Sequence, residues 1–141
     1  MESNYVFAPS IKALYNLLRQ AYEKEMDSRN LMYGWVLAFL CRREEADTYQ
    51  KDVEAYFSIG RSTATTILQA MEREGLLERV GVPSDGRLKK LVLTPKGWTQ
   101  SVGYEKEYLA VEEKAFAGFS PAQKAQFIAS MDKIQENLRR S

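Results

Sequence analysis

The chain has 141 residues, 45% apolar and 11% aromatic, with 20 basic and 19 acidic side chains and a formal charge of +1. That is one domain's length with enough apolar mass for a real core, so a disordered chain is excluded, while the near-neutral total says nothing about nucleic acid. Histidine is absent and Cys41 is the single cysteine, which removes zinc and iron–sulfur sites, an internal disulfide framework and the commonest general base.

No phosphate loop or nucleophile elbow occurs either, so neither a cofactor, a metal nor an enzymatic activity is expected. The longest apolar run, Trp35 to Cys41, is far too short to span a bilayer. Met1-Glu2-Ser3-Asn4 lacks the basic-then-apolar pattern of a secretion signal. A cytoplasmic protein with no membrane partner is the expectation.

The first amphipathic stretch follows Ala8-Pro9-Ser10, with Ser10 as N-cap and Ile11, Leu14, Leu18, Tyr22 and Met26 at helical spacing. Asn30 to Cys41 reads as a second helix with Tyr33, Val36, Leu37 and Leu40 inward, closed by the polar run Arg42 to Asp47. Thr48 is expected to cap a short third helix striped by Tyr49, Val53, Tyr56 and Phe57. Ser58-Ile59-Gly60 then breaks the chain before a fourth helix, Arg61 to Glu74, stopped by Gly75. Two helices joined by so short a turn form a helix-turn-helix.

In the fourth helix Ala64, Ile67, Leu68 and Met71 share one face. The opposite face carries Ser62, Thr66, Gln69 and Arg73, with Thr65 beside it. Hydroxyls, an amide and a guanidinium can read base edges and phosphates, or can simply be a solvated face. The next segment favours the first reading. Leu76 to Val82 and Arg87 to Leu93 are β-rich runs joined by Pro83-Ser84-Asp85-Gly86, a turn sequence, so a basic hairpin directly follows the helix. Between Arg61 and Lys96 seven basic residues face four acidic ones, against thirteen and fifteen in the remainder, a modest central positive field. Thr94-Pro95 opens a fifth helix, through Trp98, Val102, Leu109 and Phe116 to about Ala117, where Gly118 stops it. Ser120-Pro121-Ala122-Gln123 opens a sixth with a capping box, and Phe127, Met131, Ile134 and Leu138 line one of its faces.

Taken in order, Arg61-Ser62-Thr63-Ala64-Thr65, Met71 to Arg79, Asp85-Gly86-Arg87, Leu91 to Gly97 and Phe119-Ser120-Pro121 resemble the MarR family of winged helix-turn-helix regulators. The resemblance implies a mainly α fold with a small β-hairpin wing, one domain over 1–141. Its DNA-reading part would span about 30–96, with dimerisation helices at about 5–29 and 97–141. It implies a homodimer presenting two winged helices to a pseudo-palindromic stretch of double-stranded DNA, commonly as a repressor. Base and phosphate contacts would come from Arg61, Ser62, Thr63, Thr65, Thr66, Gln69 and Arg73 in the major groove. At the wing, Arg87, positioned by Asp85, would reach the minor groove or backbone, with Lys89 and Lys90 behind it. Ile11, Leu14, Leu18, Phe127, Met131, Ile134 and Leu138 would form the dimer interface.

Many members release DNA when a small aromatic or anionic molecule binds between the two parts. Tyr15, Tyr22, Tyr33, Trp35, Trp98 and Tyr104 are candidates for that pocket, or are core and interface aromatics. Two departures stand out: Gly60 where relatives often have Ser, and Thr66 where they often have Arg. One branch senses peroxide through a cysteine in its first helix. Cys41 ends the second helix and reads instead as a buried structural thiol. The alternative function is a winged-helix protein-interaction module, to which a basic Asp-Gly-Arg wing would bring nothing.

Overall fold

The computed structural model describes residues 7–43 and 46–141. Six helices and one hairpin follow in the order α1 (Phe7–Glu23), α2 (Ser28–Arg42), α3 (Gln50–Phe57), α4 (Arg61–Arg73), β1 (Leu77–Val82), β2 (Asp85–Leu93), α5 (Pro95–Ala115) and α6 (Pro121–Arg140). This is the mainly helical winged-helix architecture expected from the sequence. Glu44 and Glu45 of the expected polar run, and the first residues of the expected N-terminal part, lie outside the described residues. Among the described residues no helix is long and apolar enough to cross a membrane.

α2 is the hub. Leu31, Tyr33, Val36, Leu37, Phe39 and Leu40 are all buried, so its apolar surface runs round most of the helix, as a central helix requires. Val53 of α3, Leu68 and Met71 of α4, and Leu76, Leu77 and Leu91 around the hairpin complete one core with it. Each fully buried leucine in such a set contributes about 2 kcal/mol.

Several helix starts differ from the sequence reading. Ser10 is not a cap: α1 already runs from Phe7, and Pro9 sits in its first turn, where a missing N–H costs nothing. Met26 lies beyond α1, its N–H bonded to the Tyr22 carbonyl at 3.0 Å. α2 begins two residues early because Asp27 caps it, Oδ1 accepting from Asn30 N at 2.7 Å. Thr48 does not cap α3. It is buried, its carbonyl accepting from Leu91 N at 2.8 Å, and its hydroxyl accepts from Arg43 Nε at 3.0 Å. Tyr49 takes the cap position, and the Asp52 carboxylate accepts its N–H at 2.8 Å.

The left-handed residue that ends α3 is Ser58, at φ 54°. Gly60 is extended and supplies no side chain to the start of α4. α4 stops where expected, with Gly75 at φ 75°. The hairpin loop is only Pro83-Ser84, since β2 starts at Asp85, and the register shifts between Gly81 and Val82. α5 ends at Ala115, two residues short, before Gly118 at φ 85°. α6 has the expected capping box of Ser120 and Gln123.

Candidate nucleic-acid interface

The C-terminal end of α4 is held by two other parts of the chain. At its C-terminus three groups lock onto it from the start of α5. Thr94 donates its hydroxyl to the Gly75 carbonyl, Lys96 Nζ donates to Glu74 O at 2.7 Å, and Thr94 N donates to Leu76 O at 3.2 Å. Gly97 is required there, because a Cβ would collide with the Leu76 carbonyl. The hairpin is tied to α4 by Glu72, whose two carboxylate oxygens accept from Arg79 N and Arg79 Nε, each at 3.2 Å. The backbone bond foremost, these contacts hold the Glu72 carboxyl below the usual carboxylate range. Helix and wing are therefore tied directly to each other.

On α4, Ala64, Leu68 and Met71 face the core. Arg61, Ser62, Thr63, Thr66, Gln69 and Arg73 are all exposed, and Thr65 is half-buried. The two threonine hydroxyls differ. Thr66 Oγ1 donates back to the Ser62 carbonyl at 3.0 Å, while Thr65 Oγ1 accepts from Gln50 Nε2 at 2.9 Å.

At the wing, Asp85 Oδ1 accepts from Arg87 N at 3.0 Å and from Arg87 Nε at 3.3 Å. The Arg87 side chain is nonetheless 93% exposed, so the carboxylate orients the guanidinium without covering it. Lys89 is exposed and Lys90 half-buried. Lys90 Nζ pairs with Asp47 at 2.9 Å, and that contact raises the pKa of its ammonium. The basic residues of the wing are thus unequal. Gln50, Asp47 and the Glu72–Arg79 pair were not singled out in the sequence. The i, i+4 spacing of Gln50 and Glu54 on the first helix of the helix-turn-helix could have flagged Gln50, whereas no local spacing announces Asp47 or the Glu72–Arg79 pair.

Residues 29–88, which hold the helix-turn-helix and the tip of the wing, match the sequence model of the MarR family. Over that stretch the chain is similar in sequence to the MarR family. Its fold is shared with MepR of S. aureus, solved as a DNA complex, at 17% identity and TM-score 0.78 over 93% of this chain and 97% of that one. PcaV of Streptomyces coelicolor, solved with its natural ligand, matches at 21% identity and TM-score 0.77 over 96% of both chains. A MarR-family transcriptional regulator from Silicibacter pomeroyi matches at 20% and 0.77 over 97% and 96%. At these identities the likeness is one of fold. No curated protein sequence matches this chain.

The residues marked for dimerisation sit on a MarR fold with little cover from their own chain. No residue of α1 or α6 is fully buried. Ile11, Leu14, Ile134 and Leu138 are exposed. Leu18, Phe127 and Met131 are half-buried, Phe127 edge-on to Phe116 at 5.9 Å. Leu17, not singled out in the sequence, is 62% exposed.

The six candidate effector aromatics do not share one pocket. Tyr22 meets Trp35 edge-on at 5.9 Å and Tyr108 at 5.7 Å, and Tyr104 lies 6.4 Å from Tyr108. Tyr33 is in the core, Tyr15 is exposed on α1, and Trp98 lines a groove between α2 and α5 that reaches the cluster only through Tyr108. Tyr108, absent from the sequence reading, is the ring at which Tyr22 and Tyr104 meet, and burial pushes its phenol far above the ordinary value. Cys41 is half-buried rather than buried, its thiol 3.4 Å from Ser101 Oγ at the edge of the same groove.

Proposed function

We propose that this chain is a sequence-specific DNA-binding transcriptional regulator of the MarR family, a homodimer that represses from a pseudo-palindromic operator and lets go on binding a small ligand. The observation that carries the reading is the pairing of an exposed hydroxyl- and amide-bearing face on α4 with an Asp85-oriented, 93% exposed Arg87. In this reading α4 enters the major groove, where Thr65, Thr66 and Gln69 meet base edges. Arg61, Ser62, Thr63 and Arg73 take phosphates or flanking bases. Arg87 and Lys89 follow the adjacent minor groove or backbone, with Lys90 partly withheld by Asp47.

Dimerisation is supported by the uncovered apolar residues of α1 and α6, which a monomer would leave in water. Two such protomers would place the half-sites about one helical turn apart, roughly 34–36 Å. Ligand release is supported by the open groove of about 280 Å³ between α2 and α5, where Trp98 and Tyr108 offer ring surface, with Arg42 and Glu105 as oppositely charged groups in its lining. The rings suit a small aromatic molecule, and Arg42 can take an anionic group that is held clear of Glu105.

The test is selection of bound duplexes from a random pool, then titration of the selected and a scrambled duplex with the parent and with Arg87→Ala. A selected palindrome, and a weakening by Arg87→Ala of similar size on both duplexes, are expected. Light scattering should give about twice the 16.2 kDa chain mass. A monomer, or a pool returned without enrichment, would sink the reading.

A further inference from the structure

Among the polar side chains of the helix-turn-helix, Gln50 has a connection that no DNA contact explains. It stands at the first position of α3, and its single amide nitrogen donates twice: to Glu54 Oε2 at 3.2 Å and to Thr65 Oγ1 at 2.9 Å. A carboxylate oxygen only accepts, so the Glu54 contact settles which end of the Gln50 amide is nitrogen. One of its two hydrogens then goes to Glu54, and the other is directed at the Thr65 hydroxyl. A threonine oxygen that accepts in this way still has its own proton to give.

The neighbouring threonine behaves in the opposite sense. Thr66 donates its proton to the Ser62 carbonyl, the backward bond common for hydroxyls in helices, and so presents lone pairs and a methyl group. Among the described residues Thr65 makes no such backward bond. Two adjacent threonines of α4 are thus set to opposite polarity by contacts within the protein.

We propose that Gln50 is a positioning residue for operator recognition, holding the Thr65 hydroxyl as an outward hydrogen-bond donor and so selecting an acceptor on the major-groove edge. Guanine N7 and O6, adenine N7 and thymine O4 are such acceptors, whereas the cytosine amino group is not. The proposal rests on the DNA-binding reading and adds a residue that itself need not touch the DNA. Without a donor from Gln50, the Thr65 proton falls back on the carbonyl four residues earlier, as that of Thr66 does, and the outward donor disappears.

The experiment compares base preference along the half-site for the full-length parent, Gln50→Leu, Thr65→Val and the double variant, each against one pool of randomised duplexes. In the parent, one base pair should favour the acceptor by about tenfold. Gln50→Leu should flatten that preference to within about twofold at the same base pair as Thr65→Val, and the double variant should lose nothing more. Affinity for scrambled DNA should stay within about twofold throughout, because no phosphate contact is removed. Gln50→Glu, which also lacks the donor but adds a negative charge, should flatten the same base pair while weakening every duplex.

Melting temperatures close to the parent's will show that the variants are folded. If Gln50→Leu melts early, Gln50→Glu alone serves, since its specificity profile is read separately from its affinity. An unchanged preference at the Thr65 base pair, or losses equal at every base pair, overturns the role of Gln50 and leaves the DNA-binding reading intact. A parent that enriches no sequence overturns both.

Discussion

Replacing Gly97 by Ala tests the lock that orients α4. The new Cβ would collide with the Leu76 carbonyl oxygen and press on Leu93 Cδ2, 3.2 Å away. A backbone oxygen cannot rotate aside like a side-chain tip, so the start of α5 has to retreat from the end of α4. Overpacking of this kind costs about 1–3 kcal/mol. Retreat also stretches the bond from Thr94 N to Leu76 O, already 3.2 Å long, adding about 1 kcal/mol. The sum of about 2–4 kcal/mol lowers the melting temperature by roughly 6–12 °C in a chain of this size.

Gly103 on the same helix has nothing within 4 Å of its would-be Cβ. There the same change only removes a mid-helix glycine and should add about 0.5–1 kcal/mol, or roughly 2–3 °C. Circular dichroism melts at one fixed protomer concentration read both variants. Opposite signs on one helix would isolate the collision as the cause. A Gly97→Ala protein melting within ~2 °C of the parent would refute the close approach.

Glu72→Gln should destabilise the protein at neutral pH by less than about 1 kcal/mol, because the carboxylate is 38% exposed and its bonds are screened. Since folding depresses this carboxyl's pKa, its stabilisation is present above the ordinary carboxylate range and is lost as pH falls through the folded value. Denaturant melts of parent and variant should therefore converge on acidification, and a gap that widened instead would contradict the assignment. Lys89→Ala should reduce the salt dependence of DNA binding by about 0.9 per protomer, while Lys90→Ala should reduce it by clearly less, because Asp47 already pairs with Lys90. Equal slopes would show that the ion pair opens on DNA. Organic peroxide should not release DNA from the parent, since Cys41 is half-buried and no second cysteine stands in the chain; release in the parent that is lost in Cys41→Ser would make it a sensor.

What was legible in the sequence were features with local causes. Gly75 and Gly118 end helices because each adopts positive φ, and Thr94-Pro95 and Ser120 with Gln123 begin helices through bonds spanning three residues. Thr48 failed as a cap because a distant partner took it: its carbonyl serves Leu91, and no local pattern announces a contact forty-three residues away. Asp27 starts α2 two residues ahead of the apolar run, its carboxylate accepting the Asn30 N–H. The wing's charges were legible as charges, but Asp47 opposite Lys90 is a fact of packing. The aromatics expected to line an effector pocket are spread over several elements for the same reason. Helical spacing tells which residues share a face but not which helix covers it.

The residues that carried the family resemblance divide by what they do. Gly75, Leu76, Thr94, Lys96 and Gly97 meet where α4 hands over to α5, through backbone carbonyls and a position with no room for a Cβ. Their chemistry is demanding and independent of any DNA sequence: it fixes the angle between a helix and a wing. The residues proposed to read bases face no such demand. Thr65, Thr66 and Gln69 lie on the outer face of α4, and the polarity of Thr65 is set from another helix by Gln50. The joint that holds the helix can therefore carry a family resemblance without revealing which bases the proposed reading face would prefer. The base preference depends on hydrogen-bond directions that only the folded pair of helices determines.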